Sequence, residues 1–306
     1  MRILLAGPRG FCAGVNMAIE ALERAVERFG TPLYVLHEIV HNRHVVENFR
    51  RRGVVFVEHV EQVPPGSRLM YSAHGVSPAV RSLAQGRGLE VIDATCPLVR
   101  KVHLQAARFA REGYTIVLIG HRGHDEVIGT LGQVPGGITL LETPDEVDSL
   151  EVPDPAKLAY LTQTTLSVDE AKVIIDRLRS RFPRCVGSPT EDICYATQNR
   201  QEALKALVPQ SDFVLVVGSR NSSNSNRLAE VARDAGRRAR LIDCAAEIDP
   251  GWFDGSETVL LTAGASAPEH LVQECIEWLE HRFGASVEHH QLRQENVEFA
   301  LPLEVR

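Results

Sequence analysis

The chain repeats itself, and that repetition most limits what it can fold into. Short apolar runs alternate with helix-patterned segments throughout. The runs include Leu33-Tyr34-Val35-Leu36, Ile116-Val117-Leu118-Ile119 and Phe213-Val214-Leu215-Val216-Val217, and the helical segments include 13–29, 97–112, 168–182, 226–236 and 268–283. Strands rich in β-branched residues that alternate with helices predict parallel sheets. In such sheets ligands sit at the loops leaving the carboxyl ends of the strands, so those loops are where chemistry is to be read.

The loops fall into three registers. Each opens with a cysteine at the start of a helix: Cys12, Cys96 and Cys194. A strand then ends in a polar loop: Glu38-Ile39-Val40-His41-Asn42, then Gly120-His121-Arg122-Gly123-His124-Asp125-Glu126, then Gly218-Ser219-Arg220-Asn221-Ser222-Ser223-Asn224. The offsets from cysteine to His41, His124 and Ser222 are 29, 28 and 28 residues. A second polar loop follows 33, 40 and 42–44 residues later: Ser72-Ala73-His74-Gly75, Thr162-Gln163-Thr164-Thr165 and Ala263-Gly264-Ala265-Ser266. Between the two loops, strand-like runs end in Glu58, Glu142 and Asp243, each followed by Glu61, Glu146 or Glu247. Any α/β chain repeats its units at about this spacing, but three coincidences in one order favour an internal triplication.

The expected fold is therefore α/β, with three pseudo-equivalent lobes built on small, mostly parallel sheets. The lobes are 13–96, 97–193 and 194–283, with 284–306 as a C-terminal tail. This displaces the two domains that 306 residues would suggest by length alone. A net charge of −7 argues against a nucleic-acid partner held by bulk electrostatics, while leaving room for a local basic pocket. No apolar run is long enough to span a bilayer. The apolar start stops at Pro8-Arg9, too short for a secretory segment, which predicts a cytoplasmic protein.

Six cysteines with no export signal and no CxxC pair suggest metal ligation or burial rather than disulfides. If three equivalent lobes pack about an axis, Cys12, Cys96 and Cys194 meet at its centre, and three converging thiolates suit a metal. The register sets the others aside. Cys244 occupies the slot of His59 and Thr143, Cys275 lies mid-helix beside Ile276 and Leu279, and Cys185 lies in a Pro-flanked stretch. Zinc and a [4Fe–4S] cluster both remain open at this point. Zinc with three cysteines usually adds a histidine, and a cluster with three would leave one iron without a protein ligand. Such an iron can act as a Lewis acid as well as an electron carrier.

The six loops carry His41, His74, His124, Glu126, Thr164, Ser222, Ser223, Asn224 and Ser266. Most are neutral or switchable hydrogen-bond donors, an inventory that suits a diphosphate held without a P-loop. Helices opening after the loops add their N-terminal dipoles. The run 221–226 could equally be a linker or a helix cap, but its place after a five-residue apolar strand favours a ligand loop. His121 and His124 follow a strand, so the helical i, i+4 zinc geometry is absent. His37, His44, His103 and His270 have no equivalents and read as structural or surface residues. Glu126 stands out, because a carboxyl beside a diphosphate is pushed toward its protonated form and becomes a candidate general acid.

Gly10-Phe11-Cys12-Ala13-Gly14-Val15, Ser72-Ala73-His74-Gly75-Val76-Ser77-Pro78, Asp93-Ala94-Thr95-Cys96-Pro97, Thr162-Gln163-Thr164-Thr165-Leu166-Ser167 and Cys194-Tyr195-Ala196-Thr197, with the polar loops above, resemble the motifs of the 4-hydroxy-3-methylbut-2-enyl diphosphate reductase family. The resemblance runs through nearly the whole chain, in order. It implies three α/β lobes around a central iron–sulfur site, with the N-terminal strand 1–12 in the third lobe. It implies a [4Fe–4S] cluster on Cys12, Cys96 and Cys194 whose open iron takes the substrate hydroxyl. It implies diphosphate binding by His41, His74, His124, Ser222, Ser223, Asn224 and Ser266. By the same resemblance Glu126 is the proton source, His124 assists proton delivery, and Thr164 orients the hydroxyl. The implied reaction is two-electron reductive dehydroxylation to isopentenyl and dimethylallyl diphosphate, in the methylerythritol phosphate route to isoprenoids, with ferredoxin or flavodoxin as electron donor. Two rivals stand beside it: a zinc-dependent hydrolase of a phosphorylated substrate, and a non-catalytic iron–sulfur sensor.

Overall fold

The computed structural model describes residues 1–306. In chain order it begins β1 (Arg2–Gly7), α1 (Ala13–Phe29), β2 (Leu33–Leu36), α2 (Arg43–Arg51), β3 (Val54–Val57), β4 (Arg68–Tyr71), α3 (Pro78–Gly86) and β5 (Glu90–Asp93). It continues α4 (Pro97–Arg111), β6 (Thr115–Ile119), α5 (Asp125–Leu131), β7 (Ile138–Leu141), α6 (Glu146–Ser149), β8 (Leu158–Thr162) and α7 (Val168–Arg181). It ends α8 (Tyr195–Leu207), β9 (Phe213–Val217), α9 (Ser223–Asp234), β10 (Arg238–Ile242), β11 (Thr258–Ala263), α10 (Glu269–Phe283) and β12 (Ser286–Gln291).

The strands form three sheets, ordered β3-β2-β4-β5, β7-β6-β8 and β10-β9-β11-β1-β12. Each strand pairing runs parallel. The repeat seen in the loops is thus a repeat of topology. In every sheet the acid-ended strand (β3, β7, β10) pairs with the first-loop strand (β2, β6, β9), which pairs with the second-loop strand (β4, β8, β11). Beyond that comes the segment leading to a cysteine: β5 before Cys96, β1 before Cys12, and in the smallest sheet a single bridge from Ala159 to Val186 upstream of Cys194.

By contacts the chain divides into two compact units. The first comprises Met1–Val15, His41–Glu47 and Tyr195–Val297, and the second Asn16–Val40, Asn48–Cys194 and Glu298–Arg306. The five-stranded sheet belongs to the first unit and is covered on both faces. Ile3, Leu5, Phe213, Leu215 and Val217 join one apolar cluster, and Leu4, Ala6, Val214 and Val216 join another. Covering both faces makes alternate residues equally apolar, which is why β9 reads as an unbroken hydrophobic run. The second unit holds the other two sheets. Val117 and Ile119 face one core, Ile116 and Leu118 a second, while Leu36, Val57, Leu69 and Tyr71 build a third.

The segment 284–306, expected only as a tail, supplies the edge strand β12, which pairs with β1 from Arg2↔Ser286 to Gly7↔Gln291. No helix is long and apolar enough to cross a membrane.

Candidate active site

The three cysteines share one local construction. Each immediately precedes a helix: Cys12 before α1, Cys96 before α4, Cys194 before α8. Each donates its backbone N–H to a carbonyl of the second polar loop of the register before it, and Cys12 closes back on the third. These bonds are Cys96 to Ala73 at 3.0 Å, Cys194 to Thr164 at 3.0 Å and Cys12 to Ala265 at 3.1 Å. All three are half-buried, and none of the six cysteines is in a disulfide. Three thiols in matched positions are a donor set that suits a soft metal centre. Cys275 differs, because burial and then the nearby Cys244 push its thiol up to about 12, which makes it a poor ligand and a poor nucleophile. Before Cys96, burial raises the Asp93 carboxyl, but the hydrogen bond from Thr95 and the charge of Arg81 outweigh that and hold it below its ordinary value.

In the second unit the polar loops converge on Glu126. Its residue is buried, with 3 % exposure, and its carboxylate accepts from Thr164 N at 2.6 Å and from Thr164 Oγ1 at 2.8 Å. His124 caps α5, its Nδ1 accepting from the Glu126 N–H at 3.2 Å. The His124 ring meets that of His74 edge-on at 5.9 Å. The Nδ1 of His74 lies 3.2 Å from Ser72 Oγ and 3.9 Å from Asp125 Oδ2. Both His121 and His124 precede α5, so neither takes part in a helical metal motif. Gln163, buried between the loops, accepts from His121 N at 3.0 Å and donates to Thr165 Oγ1 at 2.8 Å.

In the first unit the serines gather. Ser222 caps α9 by accepting from Ser225 N, and its Oγ lies 3.3 Å from Ser266 Oγ. Ser266 Oγ donates to the His41 carbonyl at 2.8 Å. Asn224 accepts from Ala265 N at 2.9 Å and donates to Thr197 Oγ1 at 3.3 Å, so it joins the two loops. Ser223 is the first residue of α9, between Ser222 and Asn224. Gly264 lets these parts approach, since a Cβ there would sit 2.0 Å from Ser225 Oγ.

The structure changes one reading and adds detail to another. Glu146 and Glu247 cap their loops by accepting from the backbone N–H of Glu142 and Asp243. In the first repeat that job falls to Gln62, which accepts from Glu58 N and His59 N, and not to Glu61. A one-residue shift from acid to amide hid the correspondence. His37, set aside in the sequence, has φ +58 and places Nδ1 3.2 Å from Glu58 Oε2 and 3.7 Å from Asp125 Oδ1. It has no counterpart in the other repeats, so a search for repeated residues could not find it.

A parallel-sheet α/β fold with matched cysteines and donor-rich loops defines the class, and comparison with known proteins narrows it. The model of the LytB protein family matches residues 3–280. A 4-hydroxy-3-methylbut-2-enyl diphosphate reductase of Rhodopirellula baltica is 55 % identical over 306 residues, covering 100 % of this chain and 96 % of that one. The same-named protein of Azoarcus sp. is 57 % identical over 304 residues, covering 99 % and 97 %. Among solved structures, E-1-hydroxy-2-methyl-but-2-enyl-4-diphosphate reductase from Plasmodium falciparum superposes with TM-score 0.97 at 38 % identity, covering 99 % of this chain and 96 % of that one. The chain belongs to the LytB protein family and is an oxidoreductase.

Proposed function

We propose that the chain converts (E)-4-hydroxy-3-methylbut-2-enyl diphosphate to isopentenyl and dimethylallyl diphosphate. Two electrons and two protons enter, the allylic C–O bond breaks, and water leaves. The observation that carries this reading is the thrice-repeated bond from a cysteine N–H to the second polar loop, which sets a thiol and a donor-rich loop side by side in every repeat. The same recurrence supports three pseudo-equivalent lobes, for which the bounds 13–96, 97–193 and 194–283 with strand 1–12 are kept as part of this reading.

Cys12, Cys96 and Cys194 would together hold a [4Fe–4S] cluster, which supplies the electrons and a Lewis-acidic site when bound. Small one-electron carriers of the ferredoxin or flavodoxin type would replenish it. His41, His74, His124, Ser222, Ser223, Asn224 and Ser266 would donate to the diphosphate oxygens. Neighbouring phosphate charge favours the protonated form of Glu126, making its carboxyl the proton source. Thr164, whose N–H and hydroxyl both meet that carboxylate, would orient the leaving hydroxyl against it. His124 fixes the backbone of Glu126 through its Nδ1 and would assist proton delivery. Burial of Glu126 and Thr164 excludes bulk water from the proton's path.

The test is anaerobic turnover of the hydroxylated diphosphate with reduced methyl viologen, beside iron and acid-labile sulfide analysis. About four irons per chain, matched by sulfide, with substrate-dependent oxidation of the dye is the expected result. Stoichiometric zinc without sulfide would favour the hydrolase. A loaded cluster with no dye oxidation would favour the sensor.

A further inference from the structure

Arg200, in the second turn of α8, is fully buried and heads the buried side chains in size. Its Nη2 donates to the Gly10 carbonyl at 2.7 Å, and its Nη1 to the Ala196 carbonyl at 2.8 Å. Both terminal nitrogens also reach the Glu295 carboxylate, at 3.1 to 3.3 Å. Asn199 Nδ2 steers that carboxylate with a bond of 3.0 Å to Oε1. Glu295 itself is only 14 % exposed at its side chain. Gly10 lies two residues before Cys12, and Ala196 two residues after Cys194.

We propose that Arg200 and Glu295 are positioning residues that hold the backbone entering Cys12 against the first turn of α8 before any cluster is bound. The proposal rests on the reading of Cys12 and Cys194 as cluster ligands. Two arguments carry it. A buried ion pair is seldom a net source of stability, since desolvation offsets its Coulombic gain, and geometric specificity is one documented reason to keep it. Here the guanidinium Nε is buried without an acceptor, so the arrangement is not one of complete satisfaction. The planar fork is instead spent on two main-chain carbonyls, a task for which a lysine ammonium lacks the geometry. The acid that fixes the fork comes from the segment after β12, so a stretch without sequence features takes part in building the ligand loop.

The experiment uses the full chain with Glu295→Gln and Arg200→Lys. Amide hydrogen exchange on the metal-free protein reads the peptide covering residues 8–14, with the β9 and β11 peptides as internal controls. Reconstituted protein is then challenged with an iron chelator. Loss of a hydrogen bond to a charged group corresponds to about tenfold or more. Exchange across 8–14 and iron release should therefore rise about tenfold in Glu295→Gln, with the control peptides unchanged. Glu295→Asp should restore part of both. Unchanged exchange and release, or equal acceleration in the control peptides, would overturn the proposal. Should Glu295→Gln not accumulate as folded chain, Asn199→Leu removes only the bond that steers Oε1. Faster exchange across 8–14 is then expected, and none overturns the proposal. Wild-type protein that reconstitutes without sulfide would remove the iron–sulfur reading while the exchange result still judges the clamp. Loaded wild type with a silent Glu295→Gln would remove the clamp alone.

Discussion

His103 makes the structure testable by acid. It lies in α4, 6 % exposed, with Nε2 buried and unpartnered. Its Cε1 and Nε2 pack where a Cβ on Gly75 or Gly129 would stand, at 2.8 and 3.5 Å. Burial first, then the charge of Arg81 and Arg100 against that of Asp93, lowers its pKa from 6.5 to about 4. Above pH 6.5 the imidazole is neutral in folded and unfolded chains and has no effect. Below it the unfolded chain takes up a proton that the folded chain refuses, so stability falls as pH falls. A tenfold difference in proton affinity is worth about 1.36 kcal/mol, so the loss reaches about 2 kcal/mol at about pH 5 and about 3 kcal/mol near pH 4. His103→Leu removes the titration and the unpartnered nitrogen together. Urea unfolding of the metal-free chain at about pH 7.5 and pH 5 measures both proteins with every other titrating group in common. Wild type should lose about 2 kcal/mol more than His103→Leu between the two conditions. Parallel losses would refute the burial argument, and with it the packing of α4 against the His74 loop.

The catalytic reading makes its own demands. Thr164→Val keeps the N–H bond to Glu126 and deletes the hydroxyl bond, so turnover with dye should drop about 10- to 100-fold with cluster content unchanged; wild-type turnover would remove Thr164 from the mechanism. Glu126→Gln should leave iron content intact and nearly abolish turnover in the same assay. Gly75 has φ +75, and a Cβ there would meet Thr95 Cγ2 at 2.9 Å, so Gly75→Ala should cost about 1–3 kcal/mol in thermal unfolding and raise KM through the displaced His74. Cys194→Ser should lose the cluster while Cys244→Ser keeps full iron, as measured by iron analysis; equal losses would contradict the triplication.

Much of the frame was legible in the sequence because its signals are local. β2 at Leu33–Leu36 and β9 at Phe213–Val217 begin and end where the apolar runs do, and α1 at Ala13–Phe29 where the helical pattern does. α9 was expected at 226–236 but starts at Ser223, since a first turn of Ser-Asn-Ser-Asn carries no apolar period and is marked only by the Ser222 cap. β12 was missed because an edge strand of Ser286–Gln291 is largely exposed and polar, leaving no hydrophobic alternation to read. The candidate site residues are drawn from loops that recur at matched offsets, with Glu126 singled out as the carboxyl among their donors. Contacts made only once leave no such signal, as with those of His37, Gln163 and the Arg200–Glu295 pair, whose members lie 95 positions apart and meet only in the fold.

The hydrogen bonds that anchor Cys12, Cys96 and Cys194 run from main chain to main chain. Such an anchor is blind to side-chain identity. The residue following each acceptor carbonyl could therefore be exchanged without moving the sulfur, and at this one register the chain reads His74, Thr165 and Ser266. An anchor made by the main chain thus leaves the neighbouring side chain free to differ. One repeated backbone anchor is followed by an imidazole in one place and by hydroxyls in the other two, so side-chain chemistry varies where the main chain does not.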